Sequence, residues 1–364
     1  MRIRNTLSRI TPTFLSIAER QVFAERVIPW AADLTAAHLK EGGKRMKIVW
    51  IGFHEEGLEA FRQVLEAGKQ VDAFITLDDE AFEKRSAGTR GYRAYCEQYG
   101  VAYLPVHTIK GEEAYEIVRR YQPDLLIVLG WSEILPERLL DIPSIGTIGT
   151  HAALLPHNRG SAPVNWALIR GETECGNTLM WLSKEVDAGD IISQRAFPIT
   201  PYDSCKTLYD QVARTDAEMT LELICALESG KMPPKPALRD VGDEPILPRR
   251  RPKDGLLNWE QSGQKVYDFI RALTKPYPGA FTFLKDHCYL IWRAVLLPLH
   301  SGVNGLGPGE IGGCCYAFHP ENCGILVGTE DDLVMITEIE DENGVHYTGQ
   351  ALHDLDLKGV FCNG

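Results

Sequence analysis

The feature that most constrains this chain is a run of short apolar segments alternating with amphipathic ones from Met46 onward. Residues 47–53 (KIVWIGF), 71–77, 101–106 and 124–129 (DLLIVL) are β-rich and nearly free of polar interruption. Between them, residues 57–67 carry Leu58, Phe61 and Leu65 at helical spacing, and 89–99 and 112–121 also read as helices. Strands this apolar need cover on both faces, so the pattern predicts a mostly parallel sheet with helices on either side. Right-handed crossovers then give a doubly wound, Rossmann-like layer. A strand over 146–150, a helix over 163–170, strands over 177–182 and 191–199, and a long helix over 205–229 complete it.

At 364 residues the chain is too long for one ordinary small domain. We divide it into an N-terminal extension (1–45), an α/β catalytic domain (46–230), a connector (231–255) and a C-terminal domain (256–364). The connector is rich in proline, carries Arg249, Arg250 and Arg251, and is expected to be exposed. The last domain opens with a helix over 266–274 and continues in short glycine-punctuated β runs, which suggests a small OB-like β-barrel. The extension is basic at its start, with no acid before Glu19. We read it as an appendage, with a targeting segment as the alternative.

Charge and cysteines exclude several classes. The formal net charge is −12, which disfavours a nucleic-acid partner. Residues 301–364 hold one basic residue, Lys358, against eleven acidic ones, a balance of −10. No apolar run approaches the roughly 18 residues of a membrane span. Nine cysteines form no C-x-x-C pair, and no histidine stands at finger-like spacing to the Cys314, Cys315 and Cys323 cluster. This reads as the reduced thiols of a cytoplasmic protein without a metal site. After the first strand comes Gly52-Phe53-His54-Glu55-Glu56-Gly57, which lacks the dinucleotide fingerprint. Its two glutamates would repel a pyrophosphate.

The informative stretch is 150–166, THAALLPHNRGSAPVNW, followed by Asp187-Ala188-Gly189. It places His151 at the carboxyl end of a sheet strand, where open α/β folds put their sites. A carboxylate near a histidine makes an acid/base pair, because it fixes the tautomer and stabilises the charged ring.

With His151, Leu154-Leu155-Pro156, Arg159-Gly160, Ala162-Pro163, Trp166, Gly171 and Asp187-Ala188-Gly189 in order, the chain resembles the folate-dependent formyltransferases. That family includes methionyl-tRNA and amino-sugar formyltransferases, and the likeness runs from about Met46 to the end. It implies N10-formyltetrahydrofolate as co-substrate. The pterin would be held by backbone groups of Glu133, Ile134 and Leu135 and of Ser183, Lys184, Glu185, Val186 and Asp187. Leu154, Leu155 and Pro156 would form part of the wall. His151 would assist proton transfer and stabilise the tetrahedral oxyanion, with Asp187 orienting it.

One position departs from the family's pattern. Two residues before the histidine the family has an asparagine whose amide donates to the oxyanion, and here stands Gly149. Three readings are open: another donor (Thr147, Thr150 or Asn158), a backbone NH or water, or a folate-binding relative that is slow or inactive. The acidic C-terminal region favours a small amine acceptor, such as a nucleotide-linked amino sugar, over tRNA. The arginine run reads either as a solvated connector or as a phosphate clamp.

Overall fold

A computed structural model describes residues 45–85, 88–233, 245–297, 305–316 and 323–362. The extension 1–45 lies outside the described residues except for Arg45. So does much of the connector.

The first sheet is built from β1 (Ile48–Ile51), α1 (Glu55–Glu66), β2 (Ala73–Leu77), α2 (Asp79–Glu83), α3 (Gly91–Tyr99), β3 (Ala102–Val106), α4 (Glu112–Tyr121), β4 (Leu125–Val128), α5 (Glu137–Leu140) and β5 (Gly146–His151). After these come α6 (Pro163–Ile169), β6 (Glu174–Trp181), β7 (Ile191–Pro198) and α7 (Cys205–Glu228). The strand order is β3-β2-β1-β4-β5-β6-β7. The first five strands are parallel, β6 runs antiparallel to β5, and β7 pairs antiparallel with β6. The doubly wound reading is borne out, with an antiparallel edge that hydrophobic runs alone did not distinguish. Burial explains the run composition, since every residue of β1, β2 and β4 is buried.

Helix α1 starts two residues earlier than its apolar spacing suggests, so Glu55 and Glu56 form its first turn. Gly57 lets that turn lie against the loop after β4. A Cβ there would stand 2.6 Å from the Leu129 carbonyl oxygen. Phe61 then packs into an aromatic cluster with Trp50, Phe74 and Tyr92. Helix α7 opens with a reciprocal capping box between Ser204 and Thr207 and packs along α1 and β6.

The second sheet follows α8 (Gly263–Leu273) and comprises β8 (Ala280–Leu284), β9 (His287–Leu297), β10 (Ile311–Tyr316), β11 (Cys323–Gly328), β12 (Leu333–Asp341), β13 (His346–Thr348) and, after α9 (Gly349–Asp354), β14 (Phe361–Cys362). Its order is β10-β11-β12-β9-β8-β14. A bridge between Glu310 and Val360 brings its two edges together, as the barrel-like reading requires. Arg271 of α8 ties this region to the first. It is buried, pairs with Asp268 at 2.7 Å and donates to the Thr200 and Asp203 carbonyls at 2.8 Å each.

The connector departs from the exposed segment expected. Leu247 is buried and exchanges backbone hydrogen bonds with residues 159 and 161 at 2.7 and 3.1 Å. The Arg250 guanidinium lies over the Trp166 and Phe269 rings. An apolar side chain within the proline-rich stretch supplies the anchor, while Arg249 and Arg251 stay exposed.

Candidate active site

The strand order reverses direction between β1 and β4, and open α/β sheets bind ligands at the carboxyl ends flanking such a point. A cleft of about 1440 Å³ opens there, lined by residues following β1, β4 and β5, by α7, by the connector and by the 276–279 turn. Its volume exceeds the ~300–1,000 Å³ typical of a one-ligand pocket.

His151 ends β5 and is 7% exposed. Its Nε2 lies 2.8 Å from the Asn158 carbonyl oxygen. A carbonyl only accepts, so Nε2 carries a hydrogen and donates it. The atom left to exchange a proton is Nδ1, which lies 3.6 Å from Asp187 Oδ1. That separation suits an ion pair that tightens when substrate binds. The other oxygen of Asp187 accepts the Gly160 N–H at 2.9 Å. Asp187 adopts φ 50°, in the left-handed region. Gly189 completes the turn at a place where a Cβ would lie 1.6 Å from the Trp181 carbonyl oxygen.

Of the residues expected to hold the folate, Glu133, Ile134 and Leu135 line the cleft, and so do Ser183, Lys184, Glu185, Val186 and Asp187. Ile134 is 63% exposed and Val186 38%, so both present apolar surface to it. Such surface suits a flat aromatic ring system. Arg85 pairs with Glu133, and Arg159 donates to the Val186 carbonyl, fixing the two loops.

The turn formed by Leu154, Leu155 and Pro156 is not on the cleft wall, which corrects that expectation. Leu155 is buried against Met180 and Ile191. Leu154 packs on Gly176 and lines a separate cavity of about 430 Å³. An apolar turn adjoining a site lowers its energy more by entering the core than by facing water.

The three candidate oxyanion donors are all engaged elsewhere. The Thr147 hydroxyl donates to the Leu140 carbonyl at 3.3 Å. The Asn158 amide donates to Glu172 at 3.0 Å, and its oxygen accepts from Arg170 at 2.9 Å. The Thr150 side chain faces Asp216. Gly149 does line the cleft, and the space its missing side chain would take belongs to Leu182, whose Cδ2 is 2.9 Å from an ideal Cβ.

Asp216 is 1% exposed and accepts from the Asn177 amide at 2.6 Å. Burial pushes its carboxyl up to about 7, against the donors Asn177 and Thr150. The ordinary value is ~3.9, so the folded state holds a proton that the unfolded state releases. Stability present below pH ~4 is therefore lost as pH rises to about 7, by up to roughly 4 kcal/mol. Asp216→Asn should flatten this loss, because an amide oxygen still accepts from both donors. Thermal melts at pH 5 and pH 8 check it, and an unchanged difference between the two would refute the assignment.

Sequence reasoning missed Glu56, Tyr209, Arg214 and Tyr277, which line the same cleft. The Tyr209 and Tyr277 hydroxyls are hydrogen-bonded at 2.8 Å, and burial raises both phenols well above their usual range. The adjacent acids after β1 were the available signal for Glu56. Tyr209 and Tyr277 are brought together across 68 residues of sequence, which no local pattern reveals.

A doubly wound sheet followed by a barrel-like one, with a histidine and a carboxylate in the cleft, is the arrangement that the comparisons assign to a class of group-transfer enzymes. The model of the formyl transferase family matches residues 78–224, and that of its C-terminal domain matches 250–353. A methionyl-tRNA formyltransferase of Geobacter sulfurreducens is 32% identical over 302 residues, covering 81% of this chain and 89% of its own. Among solved structures, HypX from Aquifex aeolicus in complex with tetrahydrofolic acid aligns with 87% of this chain at TM-score 0.60 and 21% identity. The chain spans 48% of that protein's length. WlaRD, a sugar 3N-formyl transferase, aligns with 83% of this chain and 100% of its own at TM-score 0.54 and 13% identity. The chain belongs to the formyl transferase family. The family's co-substrate is N10-formyltetrahydrofolate.

Proposed function

We propose that this chain moves the formyl group of N10-formyltetrahydrofolate onto a primary amine whose carrier bears phosphate. The observation that carries this reading is the placing of His151 and Asp187 in one cleft with two different walls. Ile134 and Val186 present apolar surface on the loops expected to take the pterin. Arg214, Arg249 and Arg251 line the cleft without an ion pair among the described residues. Unpaired arginines suit phosphate oxygens, which they hold in bidentate fashion.

The chemistry follows from the tautomer. The amine adds to the formyl carbon, and the carbonyl oxygen becomes an oxyanion. With Nε2 held by the Asn158 carbonyl, a protonated Nδ1 is the charged donor available to that oxygen. Asp187 stabilises the imidazolium; Nδ1–H gives its proton to N10 as the tetrahydrofolate departs, and the proton lost by the attacking nitrogen passes through Asp187 to restore it.

Two acceptors have the required chemistry. The names of the relatives favour an aminoacylated tRNA, and this reverses the order that the sequence alone suggests. The balance of −10 over residues 301–364 favours a nucleotide-linked amino sugar and supports it as the second reading. Mixing the protein with N10-formyltetrahydrofolate and each acceptor, and following tetrahydrofolate release, separates them. Release with methionyl-tRNA only is the expected result. Release with the sugar only installs the second reading, and release with neither leaves a folate-binding relative. Arg249→Ala and Arg251→Ala should each raise the acceptor KM about 3- to 10-fold, as loss of a partly exposed charged contact does. Unchanged KM values in both would remove the phosphate from the proposal.

A further inference from the structure

Glu56 has no assigned role, and its position is hard to account for by folding alone. It stands in the first turn of α1, where an acid is favourable against the helix dipole, but Glu55 beside it is exposed and already serves that purpose. Glu56 instead turns into the cleft that holds Gly149, Thr150 and His151. Among the described residues no lysine or arginine forms an ion pair with it. Burial is the largest influence on its carboxyl and raises it, opposed in part by His54. His54, when charged, is the one group that opposes this; of the others, Glu55 repels it, and Tyr92, Tyr209, Tyr277 and Asp216 are each pushed up by its charge. A half-buried carboxylate opposed only by the neighbouring His54 is costly to keep charged. The cost falls when a cationic ligand arrives.

We propose that Glu56 receives the ammonium of the acceptor and takes its first proton, with the Tyr209–Tyr277 hydroxyl pair bordering the same recess. Resting on the formyl-transfer reading above, this names what recognises the reacting amine. In the step, one N–H bond of the ammonium breaks and the proton moves to a Glu56 carboxylate oxygen. The electron pair stays on nitrogen, which is then neutral and able to attack the formyl carbon. Glu56 returns its proton to water before the next turnover. A carboxyl raised by burial is a better proton acceptor than an ordinary surface glutamate. Acceptor orientation follows as well, because phosphate at Arg214, Arg249 and Arg251 and ammonium at Glu56 fix the molecule at two points.

The test uses the full chain saturated with tetrahydrofolate, titrated with phosphoethanolamine and, separately, with ethyl phosphate, which lacks the amine. The intact protein should bind the amine-bearing probe about tenfold or more tightly, as a charged hydrogen bond implies, and Glu56→Gln should abolish that preference. Tetrahydrofolate affinity in E56Q should stay within about twofold, which shows that the cleft is intact. Equal affinity of the intact protein for both probes overturns the proposal even if E56Q does not fold, and so does a preference that survives in E56Q. Failure of the formyl-transfer reading looks different: no tetrahydrofolate is released with any acceptor, while the ammonium preference remains.

Discussion

Replacing His151 with glutamine is expected to lower formyl transfer by about 10²–10⁴-fold, the usual contribution of a positioned general acid/base. The ring is nearly buried, and one nitrogen is committed to the Asn158 carbonyl at 2.8 Å. Every proton that the ring exchanges therefore passes through Nδ1, and glutamine has no atom that both gives and takes a proton. Asp187→Asn isolates the charge. Asparagine tolerates the left-handed backbone at this position and still accepts the Gly160 N–H, so the turn survives while the carboxylate is lost. A fall of at least about 100-fold is expected, because an imidazolium at 3.6 Å then loses its counter-charge. Single-turnover release of tetrahydrofolate and a melting curve on each variant provide the check. If both variants keep rates within about threefold of the parent, the reacting centre lies elsewhere in the cleft.

The parts of this arrangement that sequence makes legible are those set by local periodicity. Strands β1, β2 and β4 are buried on both faces, and that is why their apolar runs are uninterrupted. Helix α4 has the bounds its spacing predicts. Short α2 and α5 went unread, since one turn of helix carries too few residues for a period. The reversed direction of β6 is likewise invisible in composition. At the site, His151 and Asp187 are legible because a strand end and a glycine turn announce them. Leu154, Leu155 and Pro156 mislead: the same residues serve a wall facing a ligand and a turn facing the core, and here Leu155 joins Met180 and Ile191. Glu56 is legible only as a charge. Its inward direction depends on Gly57 seating the helix against Leu129, a contact made across 72 residues of chain.

Introducing asparagine at Gly149 alone is expected to reduce activity, and adding Leu182→Ala is expected to reverse the loss. The backbone at Gly149 is outside the left-handed region, so a side chain is sterically possible in principle. The obstacle is Leu182, with Cδ2, Cδ1 and Cγ at 2.9, 3.2 and 3.2 Å from the new Cβ. Leu182 also packs with Leu155, Met180 and Ile191 and with the cluster on the β1–β4 side, so it does not move without cost. An amide forced into that space displaces the leucine or is itself turned away from the reacting carbon. In G149N/L182A the amide gains room beside His151 and adds the neutral oxyanion donor that Thr147, Thr150 and Asn158, held by other partners, do not supply. One such donor is worth about 10²–10³ in rate, so the double variant should exceed the single one by at least about tenfold and rise above the parent. The double-mutant cycle on kcat distinguishes the cases. Strong positive coupling means that glycine and leucine form one unit replacing an amide. Additive losses would instead mean that Leu182 shapes the cleft and that the oxyanion is met by His151 alone.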